Sequence, residues 1–300
     1  MSFFDRYLAG EPQRLTDETR SGLPGRFLHL TDGVTHVDAS GPRAGRPLIL
    51  LHGFSIPLFV WDPAVAALAD AGLRVTRYDL FGRGFSDRPQ LAYDHALFRR
   101  QLLDLLDHLH PNQKVSLLAL SMGAVVAADF AVHHPDRIER IAFIDPAGFA
   151  LKLPWLAKLS YAPLIGELLL GVFGRFGRLS LVQSVLTDFY RPTQAAIDAF
   201  LPRYLEQMAY QGFKRALLST LRAGMLEEDL DLFAALAATR IPVQLIWGEE
   251  DRTVPFAHHR TFQRLVPHTE FHPIPAAGHI PYFERPELVL PLLIRFLAPE

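Results

Sequence analysis

The 300-residue sequence contains no cysteine, and this absence excludes several kinds of chemistry. Disulfide bonds, catalytic thiolates, zinc–thiolate sites and iron–sulfur clusters all require cysteine side chains. An excess of charge is also lacking, because 30 basic and 32 acidic residues leave a formal net charge of −2. The arginines are scattered among acidic residues and form no basic run. The sequence therefore gives no reason to expect a nucleic-acid partner.

An apolar run suited to crossing a membrane is lacking as well. The most apolar region, residues 149–174, contains Lys152, Lys158, Glu167 and Pro163. A spanning helix there would bury charged side chains and unpaired backbone groups. The first ten residues lack the basic end and apolar stretch of a secretory signal. We therefore expect a cytoplasmic protein with no integral membrane segment, as a monomer or a homodimer.

The chain alternates short apolar strands with longer helical patterns from residue 46 onward. This alternation is typical of a parallel sheet with crossover helices. Upstream, two apolar runs flank Asp32-Gly33, a hairpin signal that predicts two antiparallel strands. We predict an α/β fold with a mostly parallel eight-stranded sheet and helices on both faces. The predicted parallel strands cover residues 47–51, 74–78, 114–120, 138–144, 243–247 and 270–274. The predicted helices cover residues 63–71, 95–110, 122–133, 229–238, 256–265 and 286–297.

The alternation stops between residue 148 and about residue 224, where helical patterns follow one another without a strand. This segment leaves the predicted sheet after Asp145, at the edge where ligands bind in open α/β folds. We therefore expect a helical cap at residues 148–224, inserted between core parts at residues 1–147 and 225–300. An ordinary helical subdomain is the alternative. Two apolar faces are predicted within it, one from Leu153, Leu156, Leu159, Leu164, Trp155 and Tyr161, the other from Phe200, Tyr204, Met208 and Phe213.

Ser121 lies between an apolar strand and a helix of small residues. A strand that enters a helix through one residue needs a sharp, strained turn, so the residues two before and two after it must be small. Ala119 and Gly123 meet that requirement. We predict that Ser121 is a nucleophile; a serine that merely caps the helix is the alternative.

A serine hydroxyl needs a base to take its proton and an acid to orient that base. Among the 13 histidines, His279 follows the last strand in a glycine-containing loop, and we predict that it is the base. Asp251 follows the strand ending at Trp247, at the same predicted edge, and is the predicted acid. Asp145 has a similar position at the end of its strand and is the alternative acid.

Acyl transfer develops negative charge on a carbonyl oxygen, which preorganised N–H donors stabilise. The loop after the strand 47–51 contains His52-Gly53-Phe54, in which Gly53 allows close approach of the backbone to a substrate. We predict that the backbone amides of Phe54 and Met122 form this oxyanion hole. His52 is expected to hold the loop by hydrogen bonds.

Four blocks of the sequence together match a known family: Leu50-Leu51-His52-Gly53-Phe54, then Asp79-Leu80-Phe81-Gly82-Arg83-Gly84-Phe85-Ser86-Asp87, then Leu120-Ser121-Met122-Gly123, and finally residues 248–255 with Gly278-His279 and Glu284-Arg285-Pro286-Glu287. From residue 46 onward, apart from the variable cap, the chain resembles the α/β-hydrolase superfamily, in particular its capped esterase, lipase and carbon–carbon-bond hydrolase branch. The resemblance implies the α/β-hydrolase sheet and a catalytic triad of Ser121, Asp251 and His279. It also implies a structural role for residues 79–87.

Two departures from the family bear on the substrate. Leu120 stands where the carbon–carbon-bond hydrolases typically carry an asparagine. Those enzymes also hold a substrate carboxylate with a cap arginine, and Arg203 here has no clear motif match. A haloalkane dehalogenase would need an aspartate in place of Ser121. We therefore expect a carboxylesterase for uncharged, apolar acyl substrates that works through an acyl-enzyme, without a metal or cofactor.

Two other functions stay open at this point. The first is a carbon–carbon-bond hydrolase of the meta-cleavage type, or an enol-lactonase, with Arg203 or Arg191 facing the cavity. The second is a receptor that binds a ligand on the same fold without catalysis, since sequence alone does not exclude one. For the ester hydrolase, Trp155 and Ile280, with Phe54 and Met122, are expected to form apolar walls of the pocket; plain core positions are the alternative.

Overall fold

The structure, a computed structural model, describes residues 10–150, 182–183 and 185–298. Its strands are Arg26–Leu30 (β1), Gly33–Ser40 (β2), Arg46–Leu51 (β3), Leu73–Tyr78 (β4), Val115–Leu120 (β5), Ile138–Ile144 (β6), Val243–Gly248 (β7) and Glu270–Ile274 (β8). They form one sheet in the order β1-β2-β4-β3-β5-β6-β7-β8. β2 pairs antiparallel with β1 and β4, and the strands from β3 to β8 run parallel. The predicted α/β sheet, including its leading hairpin, is confirmed.

The predicted helices lie close to their expected bounds, with one exception. The predicted helix 256–265 begins as a 3₁₀ turn, Phe256–His258, and continues as an α-helix from His259. Asp229 precedes its helix as the N-cap, because its carboxylate accepts the N–H of Leu232. The α-helices of the described part are Asp17–Ser21, Asp62–Asp70, His95–Leu109, Met122–His133, Gln194–Gln207, Phe213–Arg222, Leu230–Ala238, His259–Leu265, Pro281–Glu284 and Pro286–Leu297.

The sheet separates two apolar layers. Successive side chains of a strand point to opposite faces, so Ile49 and Leu51 pack into one layer while Leu48 and Leu50 pack into the other. Helix Met122–His133 covers the first layer, and helix Pro286–Leu297 covers the second. Burial of each large apolar side chain contributes about 1.5–3 kcal/mol, and this holds the carboxyl ends of the parallel strands in a fixed arrangement.

Part of the proposed cap packs against the same edge of the sheet. Phe200, Tyr204, Met208 and Phe213 are buried in the second layer, so the predicted apolar face is confirmed. Gln207 joins this segment to the core, because its Nε2 donates to the carbonyl oxygen of Ser55 at 2.6 Å and its Oε1 accepts the N–H of Gly84 at 2.9 Å. The other predicted face, with Trp155, lies outside the described residues. The division at residues 148 and 224 stays a proposal.

Within the described ranges, no helix is both long enough and apolar enough to cross a membrane.

Candidate active site

Ser121 occupies a strained turn between β5 and helix Met122–His133. Its backbone has φ +53° and ψ −121°, a conformation that residues other than glycine seldom adopt. The turn is tied down because the Ser121 N–H donates to Ile144 O at 3.0 Å and Ser121 O accepts the N–H of Ala147 at 3.1 Å. The sharp strand-to-helix turn expected from the sequence is therefore present.

Gly123 permits the close approach of the helix to β3 that this turn requires. A β-carbon at Gly123 would lie 2.5 Å from Leu51 O and 2.6 Å from His52 O. No side chain fits at such distances without moving the backbone. Gly123, two residues after the predicted nucleophile, thus lets the helix start directly beside the loop that follows β3.

His279 and Asp251 form a buried hydrogen-bonded pair. Nδ1 of His279 donates to Asp251 Oδ2 at 2.7 Å, which leaves Nε2 as the nitrogen that can accept a proton. Asp251 Oδ1 accepts the backbone N–H groups of Thr253 at 2.7 Å and Val254 at 2.9 Å. Burial alone would lower the pKa of His279, but the charge and hydrogen bond of Asp251 outweigh burial and raise it.

Ser121 and His279 line one cavity of about 360 Å³ at the carboxyl edge of the sheet. Among the described residues, no hydrogen bond joins Ser121 Oγ to His279; such bonds often tighten only when a substrate binds. Ile280 lines the same cavity, as expected, whereas Trp155 lies outside the described residues. The Met122 side chain is buried in the core. The apolar part of the described lining consists of Phe54, Ile56, Leu120, Ala147, Val185, Leu221, Leu226, Val254 and Ile280.

The loop after β3 lies directly against Ser121. A β-carbon at Gly53 would lie 3.2 Å from Ser121 Cβ and 3.7 Å from its Oγ. In the described part of the chain, the backbone amides of Phe54 and Met122 donate to no other residue. Two N–H groups near the serine are therefore available to an oxygen atom of a ligand.

His52 and Arg83 hold this loop in place. Nε2 of His52 accepts the N–H of Leu80 at 2.9 Å, so Nδ1 carries the hydrogen that is donated to Gly53 O. Complete burial lowers the pKa of His52 to about 4, and the ring is neutral at physiological pH. The Arg83 side chain donates to Phe54 O at 2.7 Å and to Thr220 Oγ1 at 2.8 Å. These contacts agree with the structural role expected for residues 79–87.

Asp145, the alternative acid, lies behind Asp251. Its Oδ1 accepts the N–H of Gly248 at 2.9 Å, while its buried Oδ2 has no partner. Burial, followed by the nearby Asp251 carboxylate, raises the pKa of Asp145 well above its usual range and so favours the uncharged form of this acid. One potential metal ligand from each of Asp145, Asp251 and His279 lies within 4.8 Å of the others. Hydrogen bonds already account for His279 Nδ1 and both Asp251 oxygens.

Three functional candidates were missed from the sequence: Asp188, Arg252 and Glu284. Asp188 and Arg252 line the catalytic cavity, and Glu284 accepts N–H groups from Gly278 and Tyr190. Asp188 could have been noticed as a lone acid in the apolar run Val185-Leu186-Thr187-Asp188-Phe189. Glu284 belongs to the block Glu284-Arg285-Pro286-Glu287, but the sequence does not indicate which N–H groups its carboxylate accepts.

The two arginines considered for a substrate carboxylate lie elsewhere. Arg203 forms an ion pair with Asp62, and its guanidinium stacks on Phe59 at 4.4 Å. Arg191 lies over the Tyr190 ring at 4.8 Å. Neither belongs to the described lining of the cavity that contains Ser121. Arg252 is the cation of the described lining, and its side chain is exposed.

Comparison with known proteins agrees with this architecture. The family described as alpha/beta hydrolase fold matches residues 46–286. The carboxylesterase YbfK of Bacillus subtilis is 28% identical over 271 residues, which cover 89% of this chain and 85% of YbfK. Two solved structures show the same fold at low identity. One is an enol-lactonase from Burkholderia xenovorans, with TM-score 0.74, 22% identity, and coverage of 91% and 100%. The other is the meta-cleavage product hydrolase CumD from Pseudomonas fluorescens, with TM-score 0.72, 21% identity, and coverage of 91% and 97%.

Proposed function

Because the chain belongs to the α/β-hydrolase fold family, we propose that it is a serine hydrolase that cleaves carboxylic esters. One observation carries the proposal. Ser121 stands on a strained turn in the same cavity as His279, whose Nδ1–H is held by the buried carboxylate of Asp251 at 2.7 Å. Nucleophilic catalysis requires a serine hydroxyl that a ligand can reach and an oriented imidazole in the same cavity.

In the proposed reaction, His279 Nε2 takes the proton of Ser121 Oγ while Oγ attacks the ester carbonyl carbon. The Phe54 and Met122 amides donate hydrogen bonds to the oxyanion that forms. The intermediate collapses, the alcohol leaves with the proton from His279, and an acyl-enzyme remains. His279 then deprotonates a water that attacks the acyl carbon, which releases the acid and restores Ser121.

The proposed substrates carry an uncharged, apolar acyl group. Nine apolar side chains line the described part of the cavity, and a volume of about 360 Å³ suits a small ligand. The Bacillus subtilis relative is named a carboxylesterase, which supports the ester class. Residues 148–224 are the proposed cap over this cavity, with Trp155 and Ile280 as proposed wall residues.

A second candidate is hydrolysis of an enol-lactone or a carbon–carbon bond in a substrate that carries a carboxylate. Arg252 favours this candidate, because an exposed cation at the cavity wall could bind such a group. The ion pair of Arg203 with Asp62 counts against this candidate, because Arg203 was one of the two arginines expected to bind the substrate carboxylate. Tight ligand binding with negligible turnover would instead support a receptor.

The deciding experiment compares wild type and Ser121→Ala on p-nitrophenyl esters of increasing acyl length, beside an enol-lactone and a vinylogous diketone acid. We expect wild type to hydrolyse the short esters fastest. Ser121→Ala should lose at least about a thousandfold in kcat/KM. Diethyl p-nitrophenyl phosphate should label wild type once, at Ser121, as read by mass spectrometry.

Ser116→Ala is the matched control, because Ser116 is a buried serine on β5, the strand that precedes Ser121, and does not line the cavity. It should keep both ester turnover and labelling. Normal turnover by Ser121→Ala would refute the assignment. Faster cleavage of the carbon–carbon or lactone substrate than of every ester would select the second candidate.

A further inference from the structure

Asp188 places a second acidic group beside the proposed catalytic histidine. The residue is 8% exposed and lines the cavity that contains Ser121. Its backbone oxygen accepts the N–H of His279 at 2.7 Å, and its Oδ1 accepts the hydroxyl of Thr253 at 2.5 Å. Asp251 already orients His279, so the proposed mechanism does not need the Asp188 carboxyl.

Burial raises the pKa of Asp188 to about 6, so that the group is ionised at neutral pH. Positive charge on His279 and the Thr253 hydroxyl favour the ionised form, whereas Asp251 opposes it. Asp188 in turn adds to the raised pKa of His279. Of the described residues, Tyr204 also interacts with Asp188 and is kept neutral by burial, while the exposed Arg252 lines the same cavity. The inner cavity therefore contains a buried anion, and its rim contains a solvated cation.

From this arrangement we propose that Asp188 forms a subsite for a cationic or hydroxyl-bearing group of the ester substrate and excludes a carboxylate from that position. The inference rests on the proposed esterase function and revises its substrates, from uncharged acyl groups in general to those whose chain is apolar and whose far end is cationic or carries a hydroxyl. The second oxygen of Asp188 accepts no hydrogen bond from any described residue, so a donor on the substrate can bind there. A substrate carboxylate would be desolvated beside a like charge, which is unfavourable.

The test uses three p-nitrophenyl esters whose acyl chains share a trimethylene spacer and end in a trimethylammonium, a tert-butyl or a carboxylate group. The trimethylammonium and tert-butyl groups have nearly the same shape and differ in charge, and the carboxylate reverses the charge. Wild type should show its highest kcat/KM on the cationic ester and its lowest on the anionic one. In Asp188→Asn, which keeps an acceptor for Thr253, the ratio of cationic to anionic kcat/KM should fall about tenfold or more.

A merely structural role for Asp188 would lower kcat/KM for all three esters by the same factor, and this outcome would overturn the proposal. The acid limb of the pH profile gives an independent readout. It should move to lower pH in Asp188→Asn, because His279 loses a neighbouring negative charge. Asp198→Asn changes an exposed acid of the same segment and should leave the ratio unchanged.

Two further variants complete the design. Arg252→Gln should increase the ratio of cationic to anionic kcat/KM; if it alone changes the ratio, the rim and not Asp188 sets the selectivity. If Asp188→Asn fails to fold, Thr253→Val replaces it. Loss of the Thr253 hydroxyl should raise the pKa of Asp188, so the preference for the cationic ester should begin at a higher pH. Absence of turnover by wild type on the tert-butyl ester would refute the esterase function itself. A constant ratio with active wild type would refute only the subsite.

Discussion

Glu284 accepts the backbone N–H of Gly278 at 2.6 Å and thereby holds the residue that precedes the proposed catalytic base. The same carboxylate accepts the N–H groups of Tyr190 at 2.7 Å and Arg191 at 3.2 Å. The two segments also pack closely, because a β-carbon at Gly278 would lie 2.6 Å from Asp188 O. One side chain therefore connects the loop of His279 to residues 190–191.

We predict that Glu284→Gln weakens both folding and catalysis. The amide nitrogen of glutamine cannot accept a hydrogen bond, so at least one of the three N–H groups loses its partner. Such a loss costs about 1–3 kcal/mol, measurable by urea unfolding. Turnover should fall mainly in kcat, because the histidine loop loses its anchor. Glu287→Gln is the control: its exposed ion pair with Arg285 should contribute nothing measurable. Equal behaviour of the two variants would contradict the anchoring role.

Asp251 and Asp145, the predicted acid and its alternative, should respond differently to replacement by asparagine. Asp251→Asn should lower kcat about a thousandfold to ten-thousandfold, because the amide no longer stabilises the imidazolium. Asp145→Asn should retain most activity, because the raised pKa of Asp145 favours its uncharged form and the amide is uncharged as well. The asparagine still accepts the N–H of Gly248 and tolerates the φ of +44° at this position. Steady-state kinetics on a single ester decide the matter. The reverse ranking would make Asp145 the acid.

Gly123→Ala should severely destabilise the protein. Its β-carbon would meet two backbone oxygens at 2.5 and 2.6 Å, and both belong to the end of β3 and the loop that follows it. We expect a cost of more than about 2 kcal/mol, or insoluble protein. Gly22→Ala provides the comparison, because the nearest atom to its β-carbon would be 3.8 Å away. Thermal unfolding of both variants tests the steric argument, which fails if their melting temperatures agree.

His52 should make the protein less stable in mild acid. The unfolded chain protonates this histidine below about pH 6.5, whereas the folded protein does so only near pH 4, so stability present at neutral pH is lost as the pH falls between these values. The loss from this group is about 2 kcal/mol between about pH 7 and pH 5. Urea unfolding of wild type and His52→Gln at both pH values isolates it. Asp188 titrates in both proteins, so its opposite contribution cancels in the comparison. An identical pH dependence would show that His52 does not titrate in this way.

The central strands of the sheet could be predicted from the sequence because they are buried on both faces, as β5 and β7 are along their whole length. Each appears as a short apolar run bounded by polar or turn residues, and the predicted strand 138–144 coincides with β6. The positions of Ser121, Asp251 and His279 followed from the same pattern, since parallel strands end at one edge. Local sequence and fold agree at these points.

The contacts around the cavity could be predicted from the sequence to a much smaller extent. Asp188 and Glu284 act through contacts between segments that are far apart in the chain. Tyr190 and Glu284, for example, are 94 residues apart. Helical periodicity predicts that such a segment is amphipathic but not which core loop it packs against. The raised pKa of Asp145 could not be predicted from the sequence either, because it depends on the burial of Asp145 and then on the nearby Asp251 carboxylate.

The hydrogen bond from His279 N–H to Asp188 O also limits how this enzyme could be re-engineered. The cap proposed at residues 148–224 lies between β6 and β7 in the chain, which makes it a segment that a chimera could exchange. Asp188, in the proposed cap, supplies an acceptor for the N–H of His279, and Glu284, in the proposed core, accepts the N–H of Tyr190 in return. A chimera that imports a foreign cap must therefore also import matching partners at both positions, or its histidine will be left without support.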